Sequence, residues 1–179
     1  MRNSLGLKRG EVRLVRHTTA WKRIYSREKQ LIRKTLGKNI VIEHVGSTAI
    51  PTISAKPIVD ILAGASSLKD VKHKVLRLKK VGYGHIKRFP NSRLQIILAK
   101  GKRQRTYVYL HLVRYNGVIW KNYIVFRDYL LENPKIAVDY DRLKKKLAKK
   151  YALERMQYTK LKELFVHRII AKGMKEKKR

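Results

Sequence analysis

The sequence predicts an α/β domain: a small mixed sheet flanked by helices, followed by a helical C-terminal third. Three observations lead there. Two apolar runs, Ile40 to Val45 and Ile58 to Leu62, are joined by a polar turn and a loop. Two further runs, Leu94 to Ala99 and Tyr107 to Val113, have the aliphatic, β-branched and aromatic content that fits a pleated, half-buried surface. Outside these runs, apolar residues recur at spacings of three and four, the period of a helix with one buried face.

In chain order, residues 1–16 mix Arg and Lys with short apolar pieces, and Glu11 to Val15 is a candidate strand. Thr18 or Thr19 is placed to cap a helix whose inward stripe is Trp21, Ile24, Tyr25, Leu31, Ile32 and Leu36. Gly37 follows in the usual closing position. Ser67 with Asp70 resembles a capping box and opens a helix that holds Leu68, Val71, Val75 and Leu78 inward as far as Gly82. Lys100-Gly101-Lys102-Arg103-Gln104-Arg105 forms a hairpin tip with four positive charges.

Trp120 to Leu131 is the next helix, and Asn133-Pro134 supplies a cap and a first-turn proline for another. The inward stripe of that helix is Ile136, Tyr140, Leu143, Leu147 and Tyr151, and its exposed face carries Lys144, Lys145, Lys146, Lys149 and Lys150. A last helix begins near Leu153 and turns Leu161, Leu164, Phe165 and Ile169 inward. Residues 1–171 thus read as one domain, and 172–179, with Lys177, Lys178 and Arg179, as a basic tail that is disordered in isolation.

Charge narrows the class of partner. Lys and Arg number 45 against 12 Asp and Glu, a net charge of +33, while an apolar fraction of 44% still provides for a core. So basic a fold repels itself unless a polyanion neutralises it. RNA is the leading partner, because each phosphate contact releases counterions. An anionic membrane surface is the weaker alternative, since no amphipathic helix is free of core duties. The absence of cysteine excludes disulfides, thiolate metal sites and Cys nucleophiles. No apolar run approaches the ~20 residues that span a bilayer, and residues 1–10 lack the apolar centre of a signal peptide. The expectation is a cytoplasmic protein.

The chemistry concentrates in Glu43-His44-Val45-Gly46-Ser47-Thr48 and Lys56-Pro57-Ile58-Val59-Asp60. Gly46 lets the backbone approach a ligand closely, and the hydroxyls and amides of Ser47 and Thr48 form a candidate phosphate cradle. Asp60 is a carboxylate within an apolar strand, a placement that needs a partner: a divalent metal, or Lys56 or His44 in a structural pair. Glu43 reads either as a metal ligand or as a solvent-facing strand residue, and His111 either as a site residue or as a core histidine. Tyr107, Tyr109 and Tyr115 offer rings for base stacking, although packing accounts for most tyrosines.

This stretch resembles the hallmark of the GrpB family, roughly Glu-His-Ile-Gly-Ser-Thr, Val-Pro-Gly-Leu, then Lys-Pro-Ile-Ile-Asp-Ile. The likeness runs from about Trp21 to Ile170, with later landmarks at Leu110-His111-Leu112-Val113, Phe126-Arg127-Asp128-Tyr129-Leu130, Tyr140 with Lys144, and Tyr158 with Lys162. The family is similar to the nucleotidyltransferase superfamily, in which a Gly-Ser turn precedes a strand bearing metal-binding carboxylates. The resemblance therefore implies a nucleotidyltransferase-like fold and, for an active member, Mg2+ and an NTP. It casts Asp60 and Glu43 as metal ligands, Gly46, Ser47 and Thr48 as the phosphate loop, and Lys56 or His111 as the group facing developing charge.

The superfamily usually offers two acids one residue apart on this strand, and here Ile58 stands near the first position. Tyr109 replaces a frequent family histidine two residues before His111, and Thr52-Ile53 replaces Gly-Leu. The function expected is thus a GrpB-like protein adapted to RNA, with ribosomal RNA in a ribosome or similar particle as the leading candidate. The alternative is a Mg-dependent nucleotidyltransferase that moves an NMP onto a nucleic acid or small acceptor. In the first case Lys100, Lys102, Arg103, Arg105, Lys144, Lys145, Lys149 and the tail would hold phosphates.

Overall fold

The computed structural model describes residues 5–86, 94–102 and 104–177. Arg103, Lys178 and Arg179 lie outside the described residues. Strands β1 (Val41–Val45), β2 (Val59–Ala65), β3 (Tyr83–His85), β4 (Gln95–Lys102) and β5 (Arg105–Arg114) form one sheet in the order β1-β2-β5-β4-β3. Only β2 and β5 pair in parallel, so the sheet is mixed, as expected.

Side chains alternate between the two faces of a strand, and here the faces diverge in chemistry. One face carries Ile42, Ile61, Ala63, Leu98, Leu110 and Leu112, which join Trp21, Ile32 and Leu36 of α1 (Ala20–Leu36) in the main core. Val71 of α2 (Leu68–Lys72) and Val75 and Leu78 of α3 (Val75–Lys80) complete that layer. On the other face the register sets Val45 beside Asp60, Asp60 beside Tyr109, and Leu62 beside both Glu43 and His111. At one end of this face Val45, Leu62 and Val113 pack on Trp120 of α4 (Val118–Glu132). Helices α5 (Pro134–Lys150) and α6 (Arg155–Glu176) gather with α4 around Phe126, Tyr140 and Ile169, and Ile50 and Ile53 of the β1–β2 loop insert into that cluster.

Several elements differ from expectation. Glu11 to Val15 is not a strand; only Val15 forms a bridge, to Ala55, because the segment lies against the β1–β2 loop rather than at a sheet edge. The helix after Ser67 keeps its cap, with the Lys69 N–H donating to Ser67 Oγ at 3.1 Å. It breaks at His73 and Lys74 into α2 and α3, and the Lys74 ammonium reaches the Leu36 carbonyl at 2.9 Å, satisfying an orphan acceptor at the end of α1. Asn133 does not cap α5; its amide donates back to the Tyr129 carbonyl at 2.9 Å.

Two helix faces are rotated from their expected positions. In α6 the buried positions are Arg155, Tyr158, Ile169 and Gly173, while Leu161 and Leu164 face outward. Gly173 permits the close crossing with α4, where a Cβ would come within 2.6 Å of Val125 Cγ1. In α5, Asp141 and Lys144 are buried with Ala137 and Tyr140, so Lys144 is not on the exposed basic face. The reason is polar: Asp141 accepts from the Ser54 N–H at 2.8 Å and from its hydroxyl, and the Lys144 ammonium donates to the Ser54 carbonyl. Residues 172–176 continue α6 rather than forming a disordered tail, and Glu176 accepts from the Tyr129 hydroxyl at 3.2 Å.

Candidate functional site

Between the polar face of the sheet and helices α4, α5 and α6 lies a cavity of about 360 Å³, within the size range of small-ligand pockets. Gly46, Ser47 and Thr48 form one wall, Asp60, Tyr109 and His111 the floor, and Asn122, Tyr123, Tyr158, Thr159 and Lys162 the helical side. Gly46 adopts φ 70 and ψ −171, which side chains avoid. A Cβ there would stand 2.7 Å from Asp60 Oδ2. The glycine thus lets the turn run directly over the carboxylate, and Ser47–Ala49 then coil into a single 3₁₀ turn.

Asp60 takes His111 rather than His44 as a hydrogen-bond partner: His111 Nε2 lies 3.3 Å from Asp60 Oδ1. On the other side of the ring, Gln95 Nε2 is 2.8 Å and the Tyr123 hydroxyl 3.1 Å from Nδ1. An amide nitrogen is a donor only. With Gln95 in this orientation Nδ1 accepts, the ring proton sits on Nε2, and it points at Asp60. Burial, and then the charge of Asp60, push the Tyr123 phenol up, so it stays protonated. Burial also acts to raise the Asp60 carboxyl, but the His111 hydrogen bond and the Lys56 and Lys162 ammoniums outweigh it, and Asp60 is held below its ordinary value.

His44 belongs to the opposite face. Its ring stacks on Tyr25 with centroids 4.9 Å apart, and its Nε2 meets Thr48 Oγ1 at 2.9 Å. Burial lowers His44 to about 4, so it is a neutral brace for the turn, and the Thr48 hydroxyl is engaged from behind rather than offered to the cavity.

Cations dominate the cavity. Lys56, Lys144, Arg155 and Lys162 line it against the carboxylates of Asp60 and Glu163. Lys56 Nζ lies 5.2 Å from the centre of the Tyr158 ring, and the Arg155 guanidinium 5.5 Å from that of Tyr109. Burial lowers Lys144 to about 8, and Asp141 at 3.3 Å opposes that shift.

Of the residues singled out in sequence, Gly46, Ser47, Thr48, Lys56, Asp60, His111 and Lys144 line this one cavity. Glu43 does not join them: its carboxylate accepts from Arg127 Nη1 at 2.8 Å, and the same nitrogen donates to the His44 carbonyl at 3.0 Å. Lys100 is drawn inward to Glu28 at 2.9 Å and lies over the Tyr83 ring. Arg105 reaches Glu11 at 3.7 Å and the Gly6 carbonyl at 3.4 Å. Lys102 and Lys149 are exposed, Lys145 is exposed while pairing with Asp141 at 2.7 Å, and Lys177 lies 3.7 Å from Asp128. Gln95, Tyr123, Arg155 and Thr159 were missed. Tyr158 and Lys162 were visible as family landmarks, and the cavity is what connects them.

The donor set does not fit a two-metal centre. Such a centre needs two or three converging carboxylates. Among the described residues no three His, Asp or Glu side chains converge. Asp60 is tied to His111 on one oxygen and covered by Gly46 beside the other, and Glu163 is the other carboxylate lining the cavity.

The sequence profile described as GrpB protein matches residues 11–172. A glutamate-rich protein GrpB from Alkalihalophilus pseudofirmus is 44% identical over 176 residues, spanning 93% of this chain and 98% of that protein. A crystal structure of GrpB from Enterococcus faecalis superposes with a TM-score of 0.84 at 28% identity, covering 93% of this chain and all of that one. The Cid1 poly(U) polymerase bound to MgATP shares the fold at TM-score 0.54 and 12% identity, over 76% of this chain and 44% of the polymerase. The fold is therefore nucleotidyltransferase-like. Among the described residues no helix is long and apolar enough to cross a membrane.

Proposed function

The chain belongs to the GrpB family, and we propose that within it this protein binds RNA through its basic exterior, as a component of a ribosome or similar particle. The observation that carries this reading is the density of exposed cations, nearly without acids, on the layer farthest from the cavity. There α1 exposes Lys22, Arg23, Arg27, Arg33 and Lys34, and α2 and α3 add Lys72, Arg77, Lys79 and Lys80. The acids on these three helices are Asp70 and Glu28, and Glu28 is buried. Lys102, Lys145 and Lys149 extend positive charge to other faces.

Affinity supplied by phosphate contacts falls steeply with salt, by a slope of roughly 0.7 per phosphate on single strands. The test is RNA binding measured across a salt series. A steep loss, weak sequence preference, unchanged binding by Asp60→Ala and weaker binding by Arg33→Glu/Lys34→Glu are expected. Binding that is flat in salt would sink the proposal. Recovery of ribosomal RNA with the protein from native lysate at low salt, shed at high salt, would identify the particle.

A second reading, transfer of an NMP from an NTP onto a nucleic acid or small acceptor, draws support from the Asp60–His111 pair beside the Gly46–Thr48 turn. With both ring nitrogens engaged, His111 would orient the Asp60 carboxylate toward a hydroxyl in the cavity rather than carry the proton itself. No group of three carboxylate or imidazole ligands converges among the described residues, so no step is assigned to a metal here. Label transfer from an α-labelled NTP, lost in Asp60→Ala, is the result this reading requires.

A further inference from the structure

The cavity is lined by four cationic side chains and two carboxylates, in a space walled by tyrosine rings. Lys144 is compensated by Asp141 at 3.3 Å, which leaves Lys56, Arg155 and Lys162 against Asp60 and Glu163, an excess of one positive charge. A phosphomonoester, at about −1.5 to −2 at neutral pH, is attracted by that excess. At about 360 Å³ the cavity is near the lower end of ligand pockets and suits a mononucleotide rather than an extended chain.

Two of the cations share the cavity with Asp60 and act on it. Lys56 enters from the β1–β2 loop and Lys162 from α6, and the fields of both reach Asp60. A nucleotidyltransferase fold ordinarily brings divalent metals to such a carboxylate in order to hold phosphate oxygens, and the acids needed for a metal pair are missing here. We infer that Lys56 and Lys162 take over that task, so that the cavity binds the terminal phosphate of a nucleotide directly, without a divalent cation. Arg155 beside Tyr109 and Lys56 beside Tyr158 would place rings for the base or ribose near the phosphate dock.

The cavity lies on the other side of the sheet from the α1–α3 layer, so this site stands or falls independently of RNA binding at the exterior. The shared chemistry is a nucleotide phosphate, whether of a free nucleotide or of a phosphorylated RNA end.

The experiment is calorimetric titration of the full-length protein with AMP at high salt, which suppresses exterior binding, once with EDTA and once with MgCl2. Comparable affinity in both buffers is expected, with no binding of adenosine. Lys162→Ala and Lys56→Ala should each weaken AMP by at least about tenfold, the scale of one charge-assisted hydrogen bond, while exposed Lys135→Ala leaves it unchanged. A short 5′-phosphorylated RNA that displaces AMP more tightly than AMP itself binds would identify the RNA end as the ligand, and weaker displacement the free nucleotide. Binding that needs Mg2+, that ignores both lysine substitutions, or that is absent would overturn the inference.

Discussion

Gly46→Ala tests the link between the turn and the carboxylate beneath it. At φ 70 and ψ −171 a non-glycine residue is strained by about 1–3 kcal/mol. The new methyl would also stand 2.7 Å from Asp60 Oδ2, so Asp60 must swing away and lose His111, a charge-assisted hydrogen bond of about 1.5–3 kcal/mol. The expected loss is therefore about 3–5 kcal/mol. For a domain of this size that lowers Tm by roughly 10 °C. Urea unfolding of Gly46→Ala, Asp60→Ala and the double variant separates the two contributions. In the Asp60→Ala background the crowding oxygen is gone, and Gly46→Ala should cost the backbone strain and a small adjustment against the remaining Cβ at 3.2 Å. A total loss below about 1 kcal/mol, or the same loss in both backgrounds, would refute the described contact.

Three other substitutions probe the surrounding structure. Lys144 is held at about 8 against an ordinary 10.5, so between those values the unfolded chain binds more protons and stability rises with pH. Relative to Lys144→Met, the wild type should gain up to about 3 kcal/mol across that window, and urea unfolding that shows no relative gain would contradict the burial. Glu28 is buried and accepts from Lys100 and from the Tyr83 hydroxyl, each at 2.9 Å. Glu28→Gln leaves a half-buried ammonium unpaired and should cost about 3 kcal/mol by chemical denaturation. Gly173→Ala gains about 1 kcal/mol of helix propensity but forces a methyl to within 2.6 Å of Val125. A net loss of about 1 kcal/mol, recovered in Gly173→Ala/Val125→Ala, is expected from thermal unfolding.

Most of the secondary structure was legible because it is periodic. Alternation in Tyr107 to Val113 and the three-and-four spacing from Trp21 to Leu36 announced β5 and α1 within a residue or two. The three-residue edge strand β3 is too short to show a period. The inward face of α6 was misread because Leu161 and Leu164 are as apolar as Phe165 and Ile169, and only the crossing with α4 at Gly173 selects between the stripes. The site was half legible. A glycine turn and an acid in an apolar strand are local anomalies, visible in sequence. The donors behind His111, and the Asp141 carboxylate that grips Ser54 from 87 residues away, are polar contacts made by the fold. Lys144 passed for a surface charge for the same reason: nothing in a run of lysines marks the one residue that turns inward.

The grip of α5 on Ser54 has a consequence for how occupancy of the cavity would be sensed. Ser54 is held by its N–H, its hydroxyl and its carbonyl, two residues before Lys56. A ligand that immobilises Lys56 therefore also tightens the anchor of α5, a helix whose opposite side is open to solvent. Amide exchange along α5, which walls the cavity through Tyr140 and Lys144, becomes a gauge of its occupancy and should slow when it fills. Binding and the cohesion of the C-terminal third would then be two readings of a single equilibrium.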